Sequence, residues 1–420
     1  GAMVGIRGRN HDGQRLRVLI NGRDTFRSHE GTTVWSALPV SMEEIRQIEI
    51  VRGPATALYG ANAVAGVINI ITFSPLHDNV NNVTARVGNT GVLEVSGVST
   101  IKLGSAGGVR ISGGYAKMNR FDAPMTTGTM LARAEKPESK RLSADGLFSL
   151  SDTVIFGIEG TFYEGDVVSG SRIGKADLGT TKDNSFRATI SFESDFGKWT
   201  LEGFRNENDE TRNSIFDLGT GEFVFSQAIE ADTLSFDLTN VLTIGSTNVR
   251  FSAGYRDDKV IQFGGSSADG TGLVGYKTKY VSALADHSIN DKLSIAASVR
   301  FDSLDSYRTA AELTTVPFTN ADFGTFNEFS SNIGLTYKAS DEGTVKLMYA
   351  RGFEAPNLFA VGGQIIEPGA GAIPGVIALG GQPNLNSAIY SQYELQYIHS
   401  IEEINGKLSA SVFYKDEKDL

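Results

Sequence analysis

The chain has 420 residues and carries 38 Lys and Arg against 49 Asp and Glu, which gives a formal net charge of −11 at pH 7. This acidic balance argues against a nucleic-acid partner. The absence of cysteine excludes disulfides, thiolate metal sites and cysteine catalysis. The chain contains 48 Gly, 24 Phe and 13 Tyr, and no apolar run approaches the roughly 18 residues of a spanning helix. These features are typical of a β-rich exported protein.

Residues 1–77 have a mixed pattern that predicts a small α/β domain. The first buried strand is expected to end at Asn21-Gly22, a turn signal. Ser41 and Glu44 have the spacing of a capping box at the start of a short helix. The elements predicted in this region are strands at 18–20, 48–51 and 63–72 and a helical turn at 55–59.

From about residue 82 onward, apolar and polar residues alternate in segments of about ten, as they do in the strands of outer-membrane barrels. The apolar residues expected to face lipid include Phe156, Phe162, Phe192, Phe251 and Val299. The alternating partners expected to face the lumen include Arg187, Arg250 and Arg300. The pattern therefore predicts a transmembrane antiparallel β-barrel.

Short and long connections alternate along the same region, as in a membrane barrel with short periplasmic turns and long outer loops. Short turns are predicted at 104–107, 151–152, 194–197, 244–246, 289–291, 339–342 and 401–405. Long loops are predicted at 119–140, 164–183, 207–231, 259–277, 303–326 and 352–388. A soluble solenoid or sandwich, the alternative, gives no reason for this alternation. The pattern contains about 15 strands, and because closed barrels have an even number, we expect the sequence to be a fragment.

The stretch Glu44–Thr72 resembles the plug signature of TonB-dependent outer-membrane receptors nearly position by position. Two upstream segments, 6–8 and 18–22, match further plug boxes of that family, and 349–358 looks like its barrel segment at the seventh long loop. The resemblance implies a plug domain at 1–77 and a truncated barrel at 78–420, which would have about 22 strands when complete. The signature residues that it implies are Arg7, Gly8, Arg52, Gly53, Pro54, Tyr59, Gly60 and Gly66.

The function implied by this resemblance is active transport in the outer membrane of a Gram-negative bacterium. Such a receptor binds a scarce nutrient outside the cell and imports it when TonB, with its inner-membrane energising complex, moves the plug. The expected partners are therefore TonB, outer-membrane lipid and a small-molecule substrate. A ferric siderophore is the expected substrate, with cobalamin, haem and oligosaccharides as alternatives. A passive pore is disfavoured because it would need no plug.

The sequence offers no catalytic constellation, and we expect neither enzyme activity nor a bound cofactor or metal. Its five His residues have no helical metal spacing and no nucleophile motif. His287 and Asp286 are adjacent in a strand and would face opposite ways. The stretch with Asp166, Asp177 and Asp183 is expected to be a solvated loop, with a calcium site as the less favoured alternative. The acidic stretch 207–230 is likewise expected to be a solvated face.

Arg7 and Arg52 lie in plug boxes that should face the barrel wall, where a buried guanidinium needs an acceptor. The resemblance implies inward carboxylates on the later strands, one of which is Glu394 in the segment Tyr393-Glu394-Leu395. Alternation places Glu394 on the lumenal side of its strand. We therefore predict a plug–barrel latch in which Glu394 contacts Arg7 or Arg52, and the alternative is that Glu394 only lines a wet lumen.

Overall fold

The computed structural model describes residues 15–89, 91–119, 137–170, 175–217, 222–264, 271–309, 318–362, 364–368 and 376–418. These residues form a four-stranded sheet, a 15-stranded antiparallel sheet and a two-stranded hairpin. Neither helix in these ranges is long and apolar enough to cross a bilayer.

The four-stranded sheet lies in the region that the resemblance assigns to a plug domain, called the plug domain below, and has the order β2-β1-β4-β3. Its elements are β1 Leu16–Ile20, β2 Arg23–Asp24, β3 Ile45–Arg52, helix α1 Thr56–Tyr59 and β4 Gly66–Thr72. β1 runs parallel to β4, and these two central strands supply most of the buried apolar core. Asn21 and Gly22 adopt φ of 52° and 87°, which gives the tight turn after β1. The predicted strands and helical turn of this domain are therefore confirmed.

The 15-stranded sheet confirms the predicted strand count, and each strand pairs with the next. Its strands are β5 Asn81–Val87, β6 Leu93–Lys102, β7 Gly107–Lys117, β8 Glu138–Ser149, β9 Val154–Gly170, β10 Lys175–Ser194, β11 Gly197–Asp217, β12 Glu222–Ile244, β13 Thr247–Gly264, β14 Thr271–Asn290, β15 Leu293–Arg308, β16 Thr325–Lys338, β17 Gly343–Glu354, β20 Ala388–Ile401 and β21 Gly406–Lys418. Between β17 and β20 lie helix α2 Leu358–Gly362 and the hairpin of β18 Gln364–Pro368 and β19 Val376–Gly380. Within the described ranges, β5 and β21 each pair on one side only.

The two faces of this sheet carry the residues that the alternation assigned to them. Phe251 is 53% exposed and Val299 is 46% exposed on the outer face. Arg187, Arg250 and Arg300 instead line a cavity that they share with residues of the plug domain. The predicted register is therefore confirmed, and the plug domain lies against the lumenal face.

Three of the predicted long loops are wrong, because most of 164–183, 207–231 and 259–277 is paired strand. The ladder between β11 and β12 runs unbroken from Lys198 opposite Val241 to Asp217 opposite Glu222. Many residues of these segments are polar, and the inner face of β13 and β14 carries apolar side chains such as Val260 and Tyr276, so the alternation that marks a strand in lipid is lost. The backbone groups nevertheless continue to pair because each strand has an equally long neighbour. The predicted short turns are confirmed.

Candidate functional site

Buried ion pairs join the plug domain to the lumenal face of the wall. Arg23, which follows the turn after β1, is 2% exposed. Its Nε atom lies 3.2 Å from the carboxylate of Glu159 on β9. It also donates hydrogen bonds to Asn206 on β11 at 2.9 Å and to Thr161 on β9 at 3.3 Å. One guanidinium therefore connects the plug domain to two strands of the wall.

Arg27 forms the second and most highly charged connection. Its guanidinium lies 2.8 Å from Asp183 on β10 and 2.9 Å from Glu210 on β11. Glu210 also accepts a hydrogen bond at 2.7 Å from Arg212, and Arg212 reaches Glu30 of the plug domain at 2.5 Å. Burial favours a lower pKa for Arg27, but the carboxylates of Asp183, Glu30 and Glu210 outweigh it and raise the pKa.

This network corrects the expectation that the acidic stretches containing Asp183 and Glu210 are solvated. Glu210 is only 2% exposed, and Asp183 also accepts a hydrogen bond from Asn208 at 3.0 Å. Alternation in fact places Asp183 and Glu210 on the lumenal side of β10 and β11. The calcium alternative had assigned a metal ion to the segment that contains Asp183. The positive charge opposite the carboxylate of Asp183 is instead the guanidinium of Arg27 in the plug domain.

Two further contacts extend the interface to both sides of these pairs. Asp24 bridges Arg17 of its own sheet, at 2.7 Å, and Arg256 of β13. At the other side, Glu44 accepts a hydrogen bond at 2.7 Å from the backbone N–H of Ser41, as the capping box predicted. The same carboxylate forms an ion pair with Arg110 of β7, and both side chains are almost completely buried. Glu44 therefore both caps a short helical turn of the plug domain and holds it to the wall.

Two signature glycines lie where the wall approaches the backbone of the plug domain. Gly53 has a φ of +90°, and a methyl group there would lie 2.9 Å from the amide nitrogen of Gln392. Gly60 has a φ of +83°, and a methyl group there would lie 3.0 Å from Nη2 of Arg300. Both positions combine a backbone conformation that favours glycine with close packing, so any side chain would displace a residue of the wall.

The other predicted site residues are placed as follows. The carbonyl of Pro54 accepts a hydrogen bond from Asn332 of β16 at 2.9 Å, while Tyr59 lines the cavity between plug domain and wall. Gly66 begins β4 and pairs with Arg52. Arg7 and Gly8 lie outside the described residues.

Only two of the three predicted latch residues, Arg52 and Glu394, lie within the described part of the chain. Glu394 is 4% exposed and accepts a hydrogen bond from Gln392 at 3.2 Å. Arg52 is exposed at the end of β3 and enters none of the ion pairs formed among the described residues. The structure thus does not bring Arg52 to Glu394, and the pairing of Glu394 with Arg7 stays a prediction.

On the long-loop side, the tip of the plug domain touches helix α2. The N–H of Leu358 donates to the carbonyl of Ser28 at 3.0 Å, and the ring of His29 lies edge-on to Phe359 with 5.5 Å between centroids. His29 is 2% exposed, and burial lowers its pKa to about 4. Leu358 in turn packs against the inner face of β13 and β14, at Val260 and Tyr276 among others. A neutral histidine thus lies at the junction of plug domain, loop and wall.

Between the plug domain and β10–β15 lies a cavity of about 710 Å³. Plug residues such as Asn21, Tyr59 and Asn69 line one side, and Lys198, Arg250 and Tyr280 are among those on the other. The arrangement is a small domain inside a curved antiparallel wall, held by buried ion pairs and separated from part of that wall by open space.

Family comparisons agree with this arrangement over most of the chain, at both its plug and its wall. A model described as "TonB dependent receptor-like, beta-barrel" matches residues 137–420, and one described as "TonB-dependent Receptor Plug Domain" matches residues 1–67. The chain belongs to the TonB-dependent receptor family. This family consists of receptors and transporters of the Gram-negative outer membrane rather than enzymes.

Individual relatives of this TonB-dependent receptor are distant in sequence. It is 21% identical over 358 residues to the vitamin B12 transporter BtuB of Vibrio cholerae, covering 85% of this chain and 54% of the relative. It is 24% identical over 386 residues to the probable TonB-dependent siderophore receptor PirA of Acinetobacter baumannii, covering 79% and 48%. The chain thus spans about half the length of these curated relatives.

Solved structures show the same fold. The crystal structure of PirA from Acinetobacter baumannii superposes with a TM-score of 0.73 at 16% identity, covering 99% of this chain and 64% of that one. The copper transporter OprC superposes with a TM-score of 0.77 at 13% identity, covering 100% and 67%. At these identities the likeness establishes the fold and leaves the substrate open.

The contacts that sequence reasoning missed are those of Arg23, Asp24 and Arg27. A usable signal was present, because these three charged residues come shortly after β1, a strand made mostly of apolar residues. Glu159, the partner of Arg23, also stands at an inward position of an alternating strand, between Ile158 and Gly160. The sequence could therefore indicate a need for partners, but it could not say which charges meet.

Proposed function

We propose that this receptor binds a scarce nutrient outside the cell and imports it through the outer membrane when TonB moves the plug domain. The observation that supports this most directly is the chemistry of the plug–wall interface, where Arg23, Arg27 and Glu44 hold the domain through buried ion pairs. The desolvation penalty of such pairs offsets much of their attraction, so they fix position without strong net adhesion. A domain held in this way can be moved by a pulling partner.

A ferric siderophore is the substrate class that we propose, and cobalamin is the alternative that a specific observation favours. Similarity to PirA, whose description names a siderophore, supports the first, and similarity to BtuB, whose name specifies vitamin B12, supports the second. Haem and oligosaccharides remain further alternatives without a comparable relative among those cited. The proposal includes TonB with its inner-membrane complex as partner and the outer membrane as location.

The test is uptake by a Gram-negative host that lacks its own siderophore and cobalamin receptors and expresses the full-length protein. Ferric catecholate, hydroxamate and carboxylate chelates, cobalamin and haem would each be supplied as radiolabelled compounds, with and without a functional TonB. We expect TonB-dependent uptake of one iron chelate. Uptake of cobalamin alone would show that the substrate is cobalamin and not a ferric siderophore. Equal uptake with and without TonB would overturn energised transport in favour of a passive pore.

We also propose that residues 1–77 act as the plug and residues 78–420 as barrel, with Glu394 and Arg7 as a latch between them. The burial of Glu394 and its inward position on β20 support this pairing. Glu394→Gln in the full-length protein should loosen the plug and change the rate of uptake, whereas Glu403→Gln in the exposed turn before β21 should do neither. Unchanged plug stability and uptake in the Glu394 variant would remove the latch role.

A further inference from the structure

The cavity between plug domain and wall extends along the strands over a height close to that of a membrane's apolar core. Near the short turns, Lys198, Val241, Arg250 and Leu284 lie on one register line and line the cavity. Its other end is lined by Tyr276, which lies eight residues from Leu284 along β14, a distance of about 26 Å. At a strand tilt of about 35–45° this is a rise of about 20 Å, against an apolar band of about 25 Å in outer-membrane barrels.

The lining of the cavity is polar and mixed in charge. Thr200 and Thr239 present hydroxyl groups and lie directly opposite each other on β11 and β12. Glu202 lies 2.7 Å from Arg187, so charges of both signs occur side by side. A hydrophilic molecule in such a space keeps hydrogen-bond partners, whereas an apolar lining would remove them at a cost in free energy. At about 710 Å³ the cavity is also within the range of roughly 300–1,000 Å³ that small-molecule sites occupy.

Two arginines of the wall reach across this space to the plug domain. Arg256 of β13 forms an ion pair with Asp24. Arg300 of β15 lies where a methyl group on Gly60 would be 3.0 Å from its Nη2 atom. Both contacts are made by the ends of long side chains, which adopt several rotamers. A passing molecule can therefore displace them without moving a strand.

The outer end of the cavity is covered where the tip of the plug domain, residues 24–31, meets helix α2. Ser28 and Pro356 line this end. The N–H groups of Leu358 and Phe359 donate to the carbonyls of Ser28 and His29 at 3.0 Å and 3.3 Å. Leu358 is 1% exposed and packs against the inner face of the wall. This tip–α2 contact of two backbone hydrogen bonds and a small apolar cluster separates the cavity from the long-loop side.

The body of the plug domain is held by the wall on both sides of the cavity. On β17, the carbonyl of Phe353 accepts a hydrogen bond from the N–H of Asn62 at 3.1 Å, and the side chain of Asn62 accepts one from Ala355 at 3.0 Å. A methyl group on Gly352 would lie 3.2 Å from Cβ of Thr56 in α1. The buried ion pairs to β7, β9, β10 and β11 hold the other side. Release of the whole domain would break both sets of contacts, whereas separation of α2 from the tip breaks neither.

We propose that the nutrient crosses the receptor through this cavity, between the plug domain and β10–β15, while the body of the plug domain stays against β17. The tip–α2 contact is the gate of this route and opens when α2 separates from the tip. This inference rests on the proposed function, because it specifies the path of the transport that TonB drives. The movement that TonB causes is then confined to the parts of the plug domain that border the cavity.

Two engineered disulfides test the route, because the 420 residues contain no cysteine. T56C/G352C ties α1 to β17, where the added Cβ lies 3.2 Å from that of Thr56, and G31C/N357C ties the tip to the start of α2, where the distance is 3.0 Å. Both distances are below the roughly 3.5–4.5 Å of a disulfide, so a shift of about 0.5 Å allows the bond. Each pair is made in the full-length protein and compared with its own form reduced by dithiothreitol.

Uptake should respond to the two disulfides in opposite ways. We expect oxidised T56C/G352C to transport within about twofold of its reduced form, and oxidised G31C/N357C to lose about tenfold or more and to recover on reduction, since a locked gate limits turnover. Loss of uptake in oxidised T56C/G352C would show that the domain has to leave β17 and would overturn the route. Undiminished uptake in oxidised G31C/N357C would overturn the gate.

Obstruction of the cavity tests the route without any disulfide. T200W/T239W places two indole rings on the lumenal side of β11 and β12. The matched control is L201W/L238W, the next pair in the same register, whose side chains are 48% and 41% exposed on the outer face. We expect uptake to fall about tenfold or more in the first variant and to stay within about twofold in the control. Heat-modifiable migration shows that both barrels have folded, and equal uptake by the two folded variants would count against the route.

The same assay separates this inference from the proposed function. TonB-dependent uptake by the wild type, together with a block in oxidised T56C/G352C, overturns the route and leaves the transport function intact. The absence of TonB-dependent uptake in the wild type overturns the proposed function and the route with it. Uptake that continues in oxidised T56C/G352C and stops in oxidised G31C/N357C and in T200W/T239W supports both.

Discussion

Substitution of Arg27 by Met tests whether buried charge pairs anchor the plug domain. The change keeps an apolar stem of similar length and removes the guanidinium that lies 2.8 Å from Asp183 and 2.9 Å from Glu210. Arg212 would then be the remaining cation beside Glu30 and Glu210, and Asp183 would keep no ion pair among the described residues. Removal of one partner from a buried pair usually costs about 3–5 kcal/mol, since it leaves uncompensated charge in a site shielded from water.

A cost of about 3 kcal/mol corresponds to a more than 100-fold rise in the equilibrium constant for local opening. Hydrogen–deuterium exchange on the purified full-length protein in detergent reports this quantity for backbone amides. We expect amides of β1 and of the segment up to Glu30 to lose protection by about that factor. Amides of the barrel strands β14–β16, which do not touch Arg27, should keep theirs.

Lys182→Met is the control, because Lys182 neighbours Asp183 on β10 but pairs with Glu164 at 3.7 Å on an exposed face. Exposed pairs contribute about 0–1 kcal/mol, so protection should hardly change. Glu210→Gln in the Arg27→Met background should restore part of the protection, since it removes one of the excess negative charges that the loss of Arg27 leaves in this buried network. Equal protection in Arg27→Met and Lys182→Met would refute the anchoring argument.

Three further outcomes follow from the structure. Gly60→Ala should displace Arg300 and increase proteolysis of the plug domain, because the added methyl would lie 3.0 Å from its guanidinium at a φ of +83°; a protease pattern identical to wild type would contradict this. Phe251→Arg should cost about 2–4 kcal/mol in barrel insertion if it lies near the bilayer midplane, measured by folding into lipid vesicles, and unchanged insertion would contradict the outward register. His29 has a folded pKa of about 4 against an ordinary 6.5, so the folded plug domain binds fewer protons than the unfolded one between these values. Plug stability should therefore be full above pH 6.5 and fall by about 2 kcal/mol between pH 7 and pH 5, and in His29→Gln this component should vanish; an identical pH profile would contradict it.

The sequence by itself determined the class of the protein and the register of its wall. Alternation of side chains across a strand is a local property with a period of two, so the facing of Phe251 and Arg300 could be read without any knowledge of their neighbours. Turn residues such as Gly197, with a φ of 93°, are local signals too, and the short connections were therefore correct. The signature from Arg52 to Gly60 indicated the family because its glycines meet requirements of the plug backbone.

The same alternation could not predict how far the strands extend beyond the lipid. Periodicity reports the contrast between an apolar and a polar environment, and this contrast vanishes where water or protein lies on both sides. The upper parts of β10–β13 therefore looked like loops, although their backbone groups pair throughout. Only the presence of an equally long neighbouring strand decides that they form a sheet.

The partners of the charged residues were likewise decided by the tertiary structure alone. Arg27 and Glu210 are 183 residues apart, and Glu44 and Arg110 are 66 apart. Their signs and inward positions can be read from the sequence, but each inward carboxylate has several possible cations. Which pair forms depends on how far the plug domain is rotated and raised inside the wall, and that position results from all the contacts of the interface together.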